Sequence, residues 1–217
     1  MNTRKIQKTA EIKKIGPLEI EAESFRIIES ELGPEKREQF SPEEFEVVRR
    51  CIHATGDFSF ADNMRFSRDA IAAGLAAIRA GKNILVDVNM AASGISAGLL
   101  KKFGGRVICR IGEPDTVMRA KEEKKTRSEA AMELAASENI GIVAIGNAPT
   151  ALLKVMELRE KGILLSDLVI GVPVGFVNAE ESKEILSAQP YAFITALGRK
   201  GGTPVAVAAV NALLRLA

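Results

Sequence analysis

The chain predicts a doubly wound α/β domain: a mostly parallel sheet of about five strands, helices on both faces, three layers in all. Three observations carry that expectation. Five short, nearly continuous apolar runs recur at 83–88, 106–111, 141–145, 168–172 and 192–197. Strands of a parallel sheet are covered on both faces, so they lack the alternation of a half-exposed strand. Helical segments fall between the runs, near 96–103, 126–138, 149–161, 179–188 and 203–216. Four of the five turns that leave these runs hold glycine or small residues immediately before a helix, and the ligand crevice of such a fold lies beyond the carboxyl ends of its strands.

Bulk properties narrow the class. A chain of 217 residues, 47% hydrophobic and 27% charged, has ample core for a single compact unit. The expected division is a basic N-terminal segment over 1–16, carrying Arg4, Lys5, Lys8, Lys13 and Lys14, and one α/β domain over 17–217. A net charge of +2 offers no global attraction for nucleic acid or an anionic membrane, so any anion site must be local. No apolar run approaches the ~18 residues of a spanning helix, and no secretory leader pattern is visible. Cys51 and Cys109 stand far apart with no CxxC spacing, which argues against a zinc or iron–sulfur centre and for a reducing cytoplasm.

Ahead of the sheet, 17–28 reads in its second half as a helix with Phe25 and Ile28 turned inward, broken by Gly33-Pro34. Ser41-Pro42-Glu43-Glu44 then has the form of a helix start: a Ser cap, Pro in the first turn and Glu placed for a capping box. Phe45, Val48 and Ile52 follow at helical spacing as a buried stripe. Arg50 and His53 are neighbours on another face, and Gly56 supplies a left-handed terminus. His53 is the one histidine of the chain, and its place in the last turn favours the imidazolium. A histidine there also serves as a plain cap; the small and polar residues Ala54, Thr55, Gly56 and Asp57 that follow leave room for a ligand. After this stretch, Ser67 or Asp69 is expected to cap an alanine-rich helix over 68–80 closed by Gly81.

The strand-end loops are 89–96, 112–115, 146–150, 173–178 and 198–204. Their amides, poised at helix N-termini, can bind carboxylate or phosphate oxygens. Neither GxGxxG nor GxxxxGK[ST] occurs, which disfavours a nucleotide-linked enzyme. The run 121–125 reads as a solvated face, whereas Arg127, at the start of the helix opened by Thr126, can clamp a carboxylate bidentately. One histidine, the arginines Arg50, Arg127 and Arg199, and amide-rich loops suit a ligand with many carboxylates and an acid-assisted step.

Several blocks carry a resemblance to a known family. They are Ile20-Glu21-Ala22-Glu23-Ser24-Phe25, Arg50-Cys51-Ile52-His53-Ala54-Thr55-Gly56 and Thr126-Arg127-Ser128. Further along come Ala144-Ile145-Gly146-Asn147-Ala148-Pro149-Thr150-Ala151-Leu152, Gly171-Val172-Pro173-Val174-Gly175-Phe176-Val177 with Glu181-Ser182-Lys183, and Gly198-Arg199-Lys200-Gly201-Gly202. From about Ile20 onward the chain resembles the precorrin-8X (cobalt-precorrin-8) methylmutases of cobalamin biosynthesis. The resemblance implies an α/β homodimer with no protein-borne cofactor or metal. Such an enzyme moves a methyl group from ring carbon 11 to ring carbon 12 of a polycarboxylate corrinoid, giving hydrogenobyrinate or cobyrinate. It implies His53 as the catalytic residue, with Ser24, Arg50, Thr55, Ser96, Arg127, Gly146 and Asn147 toward the substrate. A protonated His53 would then stabilise the ring as the methyl migrates, and a non-catalytic corrinoid carrier is the competing reading of the same pocket.

Overall fold

The structure is a computed structural model that describes residues 15–17 and 19–217. The basic residues at positions 4, 5, 8, 13 and 14 lie outside them. Six strands form one sheet in the order β1-β6-β5-β4-β2-β3. Four of the five expected runs form strands much as read: β2 (Asn83–Val86), β4 (Ile140–Ile145), β5 (Leu168–Gly171) and β6 (Phe193–Ala196), each parallel to its neighbour. The run 106–111 yields only the two-residue β3 (Val107–Ile108), parallel to β2.

The sixth strand, β1 (Met64–Phe66), corrects the expected count and runs antiparallel to β6. Its three residues are too few to show an apolar run. Leu197 donates to the Asn63 carbonyl and Ser67 to that of Phe193, which clamps both ends of the pair. Ser67 is therefore no helix cap, since its hydroxyl accepts the Phe193 amide. The helix it was expected to cap, α4, spans Ala70–Arg79. At the open edge Arg65 folds back, its guanidinium donating to the Asp62 and Met64 carbonyls at 2.7 and 2.8 Å.

Strand residues alternate between two cores, as successive side chains on a strand point to opposite faces. Ile84, Val86, Ile142, Ala144, Leu168, Ile170, Ile194 and Ala196 face α1 (Ile20–Arg37), α2 (Pro42–Thr55), α3 (Phe60–Asn63), α4, α5 (Asn89–Gly94), α6 (Ala97–Lys101) and α11 (Thr203–Leu216). Leu85, Val143, Ile145, Val169 and Phe193 face α8 (Arg127–Ala135), α9 (Pro149–Glu160) and α10 (Ala179–Ser187). The three-layer expectation holds, with α2 laid over α11 rather than directly on the sheet. Two segments read as loop or solvated face are helical: α5 fills most of 89–96, and α7 (Pro114–Glu122) starts on Pro114 and runs into the charged 121–125 stretch. Among the described residues no helix is long and apolar enough to cross a membrane.

The helix that carries His53 is built as its sequence states. The Ser41 hydroxyl accepts the Glu44 amide and the Glu44 carboxylate accepts the Ser41 amide, completing the capping box. Val47, Val48, Cys51 and Ile52 are buried on the α11 side, and Gly56 closes the helix at φ 67°, a conformation glycine adopts without a Cβ clash. Upstream, Gly33 at φ 75° interrupts α1 where the break was expected. Replacing Ser41 by Ala removes the hydroxyl that accepts the Glu44 amide, leaves the Ser41 amide on the Glu44 carboxylate, and should lower unfolding free energy by about 1 kcal/mol in urea denaturation.

Candidate functional site

His53 is exposed in the last turn of α2, at the rim of a cavity of ≈ 260 Å³. Arg50 and Ala54 complete the α2 side, and Pro204, Val207, Ala208, Asn211 and Arg215 form the α11 side. The imidazole meets the Phe25 ring edge-on, with centroids 5.4 Å apart and planes at 76°. Arg50 also lies over that ring, its guanidinium carbon 4.9 Å from the centroid. Phe25 is thus the apolar post against which both site residues rest, and it ties α1 to α2.

Arg50 is not idle. Its Nε donates to Glu46 at 2.7 Å and its Nη1 to Glu21 at 3.1 Å. That guanidinium holds the Glu21 carboxyl below the usual carboxylate range, with Arg215 and His53 adding to the effect. Glu21 is the more exposed of the two partners. Behind the site, burial pushes the Cys51 thiol up to about 12, which leaves it inert as a nucleophile.

The other expected residues fall into two groups. Near His53, the Ser24 hydroxyl donates to the Ile20 carbonyl at 2.9 Å, one residue before Phe25. The Thr55 hydroxyl donates to the Cys51 carbonyl at 2.8 Å and accepts the Asp57 amide, the work of a helix-end cap. Ser96 joins indirectly: its amide donates to the Asn211 side chain, which lines the cavity. Gly146, Asn147 and Arg127 form the second group, at the carboxyl end of β4. Arg127 is exposed beside Thr126, whose hydroxyl lies 3.2 Å from that of Thr150, so it sits in the α8–α9 layer. The groups adjoin at the start of α11: a methyl on Gly146 would stand 2.7 Å from the Thr203 Cα, next to Pro204 of the cavity.

The amides of 146–148 do not wait for a ligand as expected. Buried Asp87, at the end of β2, accepts those of Gly146, Asn147 and Ala148 at 3.1, 2.8 and 2.7 Å. The sheet order reverses between β2 and β4, where doubly wound folds place their crevice. Here the protein's own carboxylate fills the anion position. An acid ending an otherwise apolar strand was the signal for it. Arg215 was missed as well. Positions 204, 207, 208, 211 and 215 share one helical face, and Asn211 and Arg215 are its polar members.

Comparison with known proteins bears on this geometry. The precorrin-8X methylmutase family model matches residues 19–216. A cobalt-precorrin-8 methylmutase of Priestia megaterium is 45% identical over 204 residues, covering 94% of this chain and 89% of its own. A precorrin-8X methylmutase of Pseudomonas aeruginosa is 45% identical over 169 residues, 76% of this chain and 80% of its own. A crystal structure of precorrin-8X methylmutase from Thermus thermophilus superposes with a TM-score of 0.83 at 47% identity, covering 91% of this chain and 94% of that one. Fold and relatives define an α/β isomerase. The chain belongs to the precorrin-8X methylmutase family.

Removing the internal carboxylate tests its role. Asp87→Ala leaves three amides without their acceptor and should lower stability by about 3 kcal/mol, read by urea denaturation. Burial raises the Asp87 carboxyl above its ordinary value, so the folded state disfavours the ionised form. The increment of stability linked to that shift is therefore full below the ordinary value and is lost as pH rises through the raised one, while the three amide bonds remain. The stability difference between wild type and Asp87→Asn should shrink across that window.

Proposed function

We propose that the chain moves a methyl group from ring carbon 11 to ring carbon 12 of precorrin-8 or its cobalt form, with His53 as the acid. The observation that carries this reading is His53 itself, the chain's one histidine, exposed beside Arg50 and Arg215 at the mouth of a cavity in a methylmutase-family fold. A carboxylate arm of the corrinoid displaces Glu21 from Arg50, and a second meets Arg215. Asn211 and, through it, Ser96 order the cavity floor, while Ser24 and Thr55 secure the helix ends beside it. Arg127 and the exposed Asn147 side chain take arms that reach over the strand tips. Gly146 serves by letting α11 approach, since its amide belongs to Asp87.

The imidazolium donates toward the ring, drawing electron density while the methyl group leaves one carbon for the next. Acid assistance of this kind is worth about 10²–10⁴ in rate. Holding one macrocycle conformer against the post and rim supplies proximity. Neither function asks for a metal or an organic cofactor from the protein.

A cavity of ≈ 260 Å³ is small beside the ~300–1,000 Å³ of ordinary ligand pockets, so the macrocycle lies across it rather than within it. That openness supports a homodimer whose second copy covers the ring. Free Cys51 and Cys109 are compatible with a reducing cytoplasm. The carrier reading gains nothing from the relatives described above, which bear methylmutase names.

His53→Ala should keep its fold and still bind corrinoid, with turnover down about 10²–10⁴-fold in an assay that follows the ring's absorption spectrum. Wild-type turnover by that variant would remove His53 from the mechanism. Light scattering of the purified protein should give twice the chain mass, and a monomer would refute the dimer.

A further inference from the structure

Lys183 on α10 is fully buried, yet an ammonium leaves water only at a cost of several kcal/mol. Burial pulls its pKa down to about 8, offset in part by Glu180. Filling volume alone would be met by a leucine or methionine, so the amine is needed for what it touches. Its Nζ donates to the Lys200 carbonyl at 2.7 Å, in the 198–202 loop between β6 and α11. The same loop is fastened elsewhere along its backbone, where Gly175 donates to the Arg199 carbonyl and Gly202 to that of Val172.

The side chain of Lys200 points the other way. Its Nζ lies 2.7 Å from the Asp57 carboxylate and 3.0 Å from the Ser59 hydroxyl. The carboxylate of Asp57 is held below its ordinary range, first by Lys200 and then by Ser59. Asp57 follows Gly56, the residue that ends the His53 helix, and its amide donates to Thr55. One loop residue thus joins a buried amine on α10 to the terminus of α2, four residues from the imidazole.

We propose that Lys183 is a positioning residue. It fixes the Lys200 carbonyl from inside the molecule, so that the Lys200 ammonium braces Asp57 and Ser59 and sets where His53 stands over the cavity. The catalytic meaning of this brace rests on the methylmutase reading above; its structural meaning does not.

The test uses the purified full chain and Lys183→Met, Lys200→Met, Asp57→Asn and Lys200→Arg. Because His53 is the chain's single histidine, its imidazole gives one identifiable NMR resonance set. That set should move in Lys183→Met, Lys200→Met and Asp57→Asn and return toward wild type in Lys200→Arg, which keeps the ion pair. With precorrin-8, the three disruptive variants should lose kcat about ten- to a hundredfold with KM little changed, as for a displaced rather than missing group. Lys200→Met, at the surface, and Asp57→Asn, half-buried but close in shape, should melt with wild type, and they decide the matter if Lys183→Met fails to fold. Imidazole signals unmoved in Lys200→Met and Asp57→Asn overturn the brace, as does a rise in KM at constant kcat. A wild type that never turns over precorrin-8 defeats the methylmutase reading, while the NMR comparison still judges the brace.

Discussion

The packing of α2 across α11 is the contact on which the rest of the molecule depends. α11 is apolar almost all round, and its alanines let two partners approach closely, the sheet on one side and α2 on the other. Cys51 lies 3.7 Å from the Val205 carbonyl at that crossing. The cavity under His53 draws its lining from those two helices. α11 thereby serves the core through one face and lines the cavity through another.

The second constraint is electrostatic. A parallel sheet gathers strand ends and helix N-termini at one edge, and that edge attracts anions whatever the fold is used for. Asp87 neutralises this attraction at the reversal point with a carboxylate bound to the chain. Cationic side chains stand apart from it: Arg50 and Arg215 line the cavity with His53, and Arg127 is exposed on the far layer.

Much of this was legible in the residues, because the informative signals were local. Ser41-Pro42-Glu43-Glu44 and Gly56 bounded α2, and Thr126 marked the start of α8, where the structure adds a capping box with Glu129. The parallel strands announced themselves by unbroken apolar runs. What escaped depends on distant partners. Three-residue β1 exists through its pairing with β6, and Ser67 was spent on that pairing rather than on a cap. α5 and α7 were hidden by small or charged residues that read equally well as loop. Asp87 and Lys183 look like ordinary polar residues until the backbone groups they hold, about 60 and 17 positions away, are brought beside them.

The guanidinium of Arg65, folded onto the carbonyls of Asp62 and Met64, has a consequence for assembly. A terminal strand normally offers its unpaired backbone to any extended neighbour. Here the outward Met64 carbonyl is already occupied, and the opposite margin, β3, is only two residues long. Both borders of the described sheet are thereby blunted as templates for intermolecular strand pairing.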